Sequence, residues 1–147
     1  MKEMKVLSPT AILGYGFPEE SFERGLEREP DIIAVDGGST DPGPYYLGAG
    51  KSFTDKEAVK RDLKLMIKAG NELDIPVLVG TSGGSGADAH LEWAEDIVQE
   101  IVKEEGLSLK LASISAEFSK EDLLEKSEER DLSPLASVDE TSRANLT

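Results

Sequence analysis

Short, continuous apolar runs alternate along the chain with longer segments in which apolar side chains return every three or four residues. Lys5-Val6-Leu7-Ser8 predicts a first strand that ends or bends at Pro9, because proline cannot donate to a sheet ladder. Pro18 to Glu29 predicts a helix: proline suits the first turn, Glu19 and Glu20 favour its positive end, and Phe22 and Leu26 lie one turn apart. Glu29-Pro30 stops it. Asp31-Ile32-Ile33-Ala34-Val35-Asp36 is the clearest strand, with the unbroken apolar middle that a parallel strand covered on both faces requires.

Residues 37 to 53 read as a long loop rich in glycine and proline. Thr54-Asp55-Lys56-Glu57 has the spacing of a capping box with Thr54 as the cap, and Val59, Leu63, Met66, Ile67 and Leu73 follow on one helical face. Pro76 to Gly80 predicts a third strand. A glycine-rich turn over 80 to 88 then enters a helix capped by Asp88, with Leu91, Ala94, Ile97, Val98, Ile101 and Val102 on its apolar face and Gly106 as its stop. Leu107 to Ile114 predicts a fourth strand, and Ser119-Lys120-Glu121-Asp122 opens a short acidic helix running to about Arg130. Past Asp131 the chain is polar and without period, so the expected organisation is one α/β domain over 1–131 and a polar tail over 132–147.

Four βα units in succession predict an α/β fold, a Rossmann-like parallel sheet with right-handed crossovers. Half of a larger α/β barrel is the alternative. An open parallel sheet of about four strands leaves edges that another chain must cover, so the expected state is a homo-oligomer or a complex with a partner subunit.

Composition narrows the function classes. The 147 residues carry 30 acidic against 16 basic side chains, a formal net charge of −14. Such a surface repels phosphate backbones and anionic lipid, which argues against nucleic-acid and membrane partners. It leaves room for a small anionic ligand held by backbone N–H groups and a local cation. Cysteine is absent, which removes disulfides, thiolate nucleophiles and cysteine-ligated zinc. No apolar run approaches a membrane span or a signal-peptide core, and the expected location is the cytoplasm.

In parallel sheets, ligands bind beyond the carboxyl ends of the strands. Here the loops at those positions are the unusual ones. Asp36, ending the second strand, is a candidate base, metal ligand or hydroxyl-binding group, or simply a loop cap. Asp41 is a second candidate for catalysis, or a turn former before Pro42. His90, the single histidine, lies where a helix start favours the neutral imidazole and suits proton transfer; the alternative is partly exposed packing. Gly37, Gly38, Ser39 and Thr40, with Thr81, Ser82, Gly83, Gly84 and Ser85, offer backbone N–H groups and hydroxyls to an anion at the next helix's positive end. Tyr45 lines the pocket or covers the sheet edge, Lys51 supplies a cation or is a solvated loop lysine, and Glu117 is an acid after the fourth strand or a surface charge. No dedicated cluster of metal ligands is present, and nothing names a cofactor.

Two familiar phosphate motifs fail. Gly50-Lys51-Ser52 ends like a P-loop, but Tyr45 stands where its first glycine belongs. Gly14-Tyr15-Gly16 meets Glu19 where a dinucleotide fingerprint needs its third glycine.

The stretches Gly14-Tyr15-Gly16-Phe17-Pro18-Glu19, Val35-Asp36-Gly37-Gly38-Ser39-Thr40-Asp41-Pro42-Gly43-Pro44-Tyr45-Tyr46-Leu47-Gly48, Ala58-Val59-Lys60-Arg61-Asp62-Leu63, Gly80-Thr81-Ser82-Gly83-Gly84-Ser85-Gly86 and His90-Leu91-Glu92-Trp93 resemble the N-terminal region of the acyclic terpene utilisation protein A family. The resemblance spans roughly residues 5 to 118 and is most specific from the aspartate to the tyrosines. It implies a role in bacterial catabolism of acyclic terpenoids and supplies no set of catalytic residues. Members of that family are considerably longer, and the likeness fades near Pro134, so a truncated or divergent end is expected. Together these readings predict an enzyme or enzyme subunit acting on a small carboxylate or acyl thioester. A non-catalytic binding or assembly module, or an inactive remnant, is the alternative.

Overall fold

A computed structural model gives the fold and describes residues 3–39 and 44–128. The chain divides into two units, Met1–Ser115 and Ala116–Thr147. The first unit is an open parallel α/β sheet with Rossmann-like layering. Strands β1 (Val6–Leu7), β2 (Ile32–Asp36) and β3 (Val77–Gly80) lie in the order β1-β2-β3. The register pairs Leu7 with Ile33, Ile33 with Val77 and Asp36 with Gly80. Helix α1 (Glu19–Leu26) crosses from β1 to β2. Helices α2 (Tyr45–Ala49) and α3 (Lys56–Leu73) connect β2 to β3, and α4 (Asp88–Glu105) follows β3. In the second unit, α5 (Lys120–Glu128) is opened by Ser119, whose hydroxyl accepts the Asp122 N–H at 3.0 Å and donates to the Asp122 carboxylate at 2.6 Å.

Consecutive strand order with right-handed crossovers places the connecting helices on one face. The core sits there. Ile33, Val35, Leu63, Met66, Ile67, Ile97 and Ile101 are buried, with Leu7, Val77 and Val79 packed against them. Strand alternation turns Val6 and Leu78 the other way, and they remain 57% and 55% exposed. Coverage of both faces, expected for β2, is therefore not found among the described residues: Ile33 and Val35 are buried, Ile32 and Ala34 half-buried.

Other expectations change locally. The fourth strand is absent among the described residues. Leu107 to Ile114 makes no ladder pairing, and the Leu107 N–H is held by the Val102 carbonyl at the end of α4. The predicted loop 37–53 contains the short helix α2, too brief to give a periodic signal. The cap of α3 is Asp55, which accepts the Ala58 N–H at 3.0 Å, whereas Thr54 is engaged by Ser52. The cap position of α4 is Ala87, so Asp88 is the first helical residue and no side chain caps that end. No helix is long and apolar enough to cross a membrane among the described residues.

Candidate functional site

The carboxyl ends of β2 and β3 are adjacent, and the loops leaving them pack backbone on backbone. The Gly37 N–H donates to the Gly80 carbonyl at 2.7 Å, continuing the sheet one step beyond β2. A side chain on Gly38 would have its first carbon 2.4 Å from Thr81 Cγ2 and 2.5 Å from the Gly84 carbonyl oxygen, so only glycine permits that approach. The loop after β1 joins the same rim, where the Leu13 N–H donates to the Asp36 carbonyl at 2.9 Å. Gly84 faces the ring of Phe53, which stands edge-on to Tyr46 with ring centroids 5.9 Å apart.

The candidate residues divide by what they do. Asp36 is exposed, and its Oδ1 accepts the Gly38 N–H at 3.0 Å, a turn-forming bond of the aspartate with the backbone two residues on. Ser39 is half-buried next to that turn. Thr81, exposed, takes a left-handed backbone (φ 45°), and Ser82 closes the turn by donating its hydroxyl to the Val79 carbonyl at 3.2 Å. Gly83 and Gly84 are buried and Ser85 is half-buried. Tyr45 is exposed at the start of α2, edge-on to Tyr46. The Lys51 side chain is exposed, but its carbonyl faces inward. Thr40 and Asp41 lie outside the described residues. Glu117 is exposed and belongs to the second unit.

His90 departs from the expectation of partly exposed packing. It is 1% exposed rather than partly exposed, and its Nε2 lies 3.1 Å from the Tyr46 carbonyl and 3.2 Å from the Lys51 carbonyl. Carbonyls only accept, so Nε2 carries the hydrogen and donates to both. His90 thereby ties the start of α4 to the ends of α2. Its Nδ1 is left as a buried acceptor with no hydrogen-bond partner among the described residues.

Sequence reasoning passed over Asp62. This fully buried carboxylate on α3 accepts the Gly14 N–H at 2.9 Å and the Gly16 N–H at 3.0 Å through Oδ2, and Arg61 Nη1 lies 3.3 Å from its Oδ1. Arg61 also donates to the Phe17 carbonyl at 3.3 Å. The pair therefore shapes the loop after β1 from beneath. The signal was present: Asp62 falls between Val59 and Met66 on the apolar stripe of α3, where an unpaired carboxylate is costly.

The assembled rim can offer the first turn of α4, which no side chain caps, and the exposed Thr81 side chain; the Gly37, Gly38 and Gly84 N–H groups are already donated to the Gly80 carbonyl, the Asp36 carboxylate and the Thr81 carbonyl. Among the described residues no group of three or more histidine and acidic side chains could hold a metal ion. No family model, curated protein or solved structure matches the chain.

Proposed function

We propose that the rim formed by the loops after β2 and β3 binds a small anionic ligand, a carboxylate or an acyl thioester. The observation that carries this reading is the packing of Gly37-Gly38 against Thr81-Gly84 immediately before a helix whose positive end has no side-chain cap. The positive end of the helix dipole favours negative charge even inside an acidic protein. Lys51 adds the cation. The chain acts as the binding part of an enzyme of small-carboxylate catabolism, of the acyclic terpenoid type that its sequence resembles, in the cytoplasm. Binding is better supported than catalysis by this chain alone, because Asp36 Oδ1 accepts from the turn that follows it and His90 Nε2 is held between two backbone carbonyls.

The same reading includes assembly with a second copy of the chain, supported by the apolar sheet face carrying Val6 and Leu78. Light scattering at rising concentration should show a dimer or larger, and a folded monomer throughout would contradict it.

Thermal-shift measurements with phosphate, short carboxylates and acyl-CoA test the ligand. Binding to the folded state raises stability by about 2.7 kcal/mol when ligand is at a hundred times its Kd. A midpoint unmoved by every anion removes the proposal. If turnover is found, Asp36→Asn should leave the midpoint nearly unchanged, and lost turnover in that variant would favour the catalytic reading.

A further inference from the structure

The segment after α4 is stretched past an open sheet edge. Gly106 ends α4 in a left-handed turn, and the Leu107 N–H donates to the Val102 carbonyl at 3.0 Å. At the other end, the Ser115 hydroxyl donates to the Asp88 carboxylate, in the first turn of α4. The segment therefore returns along the whole helix. Its 18 residues rise about 1.5 Å each, or about 27 Å. The nine steps from Gly106 to Ser115 reach about 30 Å when fully extended at about 3.3 Å each. The chain accordingly spans much of the length of α4 instead of folding back on itself. Because α4 runs back from the carboxyl end of β3, this return runs parallel to β3.

The facing edge of β3 is prepared for a neighbour. The Ile33 N–H donates to the Pro76 carbonyl and the Gly37 N–H to the Gly80 carbonyl, so even-numbered residues of β3 point their polar groups at β2. Alternation then turns the N–H groups of Val77 and Val79 outward. Between this edge and the returning chain lies a cavity of about 640 Å³, with Ile67, Val77, Val79 and Val98 on one side and Leu109 and Leu111 on the other. Leu109 and Leu111 are 37% and 45% exposed, and they alternate with Ser108 and Lys110 as in a strand with one buried face.

We propose that Leu107–Ala112 is a strap that docks on the outer edge of β3 as a fourth parallel strand, closing the cavity over Leu109 and Leu111. The occupant is this segment because both its ends are already fixed on α4, its middle shares the cavity with Val77 and Val79, and its direction and alternation match. The structure shows the undocked arrangement, and solution contains the docked one as well.

Hydrogen exchange of individual amides tests this. In the wild-type chain, the Val77 and Val79 amides should be protected to the same degree at every protein concentration. Proline at 109 or at 110 removes an N–H from opposite sides of the strap. One of Leu109→Pro and Lys110→Pro should therefore speed Val77 and Val79 exchange about tenfold, while the other has little effect and Ile33 and Val35 stay slow. Leu111→Ala carries the same test if proline prevents folding, with faster exchange at Val77 and Val79 relative to Ile33. Unprotected Val77 and Val79 in the wild type, or protection indifferent to all three variants, overturns the proposal. Protection that grows with concentration also overturns it, because the added strand would then come from another molecule.

Discussion

Gly83 lies against the carbonyl of His90 so closely that a side-chain carbon there would stand 2.0 Å from that oxygen. The turn after β3 is thus pressed onto the first turn of α4, and the position also has a left-handed backbone (φ 77°). Gly86, three residues on, shares that conformation (φ 79°) with nothing within 4 Å. Gly86→Ala should cost only the backbone penalty, about 1–2 kcal/mol. Gly83→Ala should cost distinctly more, because the turn must also move away from the helix. Chemical denaturation of both variants checks this, and equal losses would show that the close approach does not matter.

Asp62 anchors the loop after β1 through two backbone N–H groups. Asp62→Ala should destabilise by about 3 kcal/mol, the scale for losing charge-assisted hydrogen bonds and leaving buried donors unpaired. Asp62→Asn keeps one acceptor and should lose less. In both variants the Gly14 and Gly16 amides should exchange faster while those of β2 and β3 hold, as amide exchange would show.

The α3–α4 contact is laced by ion pairs: Glu100 meets Lys56 at 2.6 Å and Lys60 at 2.9 Å, and Glu105 meets Lys64 and Lys68 at 3.0 Å. Hydrogen bonds from Lys56 and Lys60 lower the Glu100 carboxyl from its ordinary 4.5 to about 2. Those from Lys68 and Lys64 lower Glu105 as well. A depressed folded-state value means that the stabilisation is complete above the ordinary glutamate range and fades as pH falls towards the folded value. Glu100→Gln should therefore melt below wild type at pH 7, by a small margin because the pairs are solvent-exposed. The two melting curves should converge between about pH 4.5 and about pH 2, the interval bounded by those values. A gap independent of pH would contradict the assignment.

His90 holds the ends of α2 through the Tyr46 and Lys51 carbonyls. His90→Phe keeps an aromatic ring but no donor, and should cost about 1–3 kcal/mol, chiefly for the Lys51 carbonyl, since the Tyr46 carbonyl still accepts the Lys51 N–H at 3.2 Å; removing the orphan Nδ1 offsets part of the loss. Amide exchange over 45–51 should rise with it. Unchanged exchange there would mean that α2 is held by its aromatic contacts instead.

Much of this framework was legible in the sequence where a period was long enough to read. The apolar face of α3 from Val59 to Ile67 and that of α4 from Ala94 to Ile101 pointed to the buried residues, and Gly106 marked the end of α4. Leu107 to Ile114 shows the limit. Alternating leucines point to a strand, but alternation says nothing about whether a ladder partner is within reach, and no ladder forms there. The cap of α3 slipped by one because Thr54 and Asp55 are both good caps and only the entry angle of the chain chooses between them. Asp36 and Ser82 were expected near one rim, and the Asp36–Gly80 register places their loops side by side. The roles of Asp62 and His90 depend on contacts 39 to 48 residues away in sequence, which no local pattern encodes.

The proposed ligand site is tested most directly by titrating the isotopically labelled protein with acetate, phosphate and acyl-CoA while following backbone amide shifts. The account predicts that Gly37, Gly38, Thr81 to Gly86 and Ala89 move together along one saturating curve for at least one of these anions, with β1 and the far end of α4 unmoved. Saturable shifts confined to other surfaces, or none at all, would contradict it.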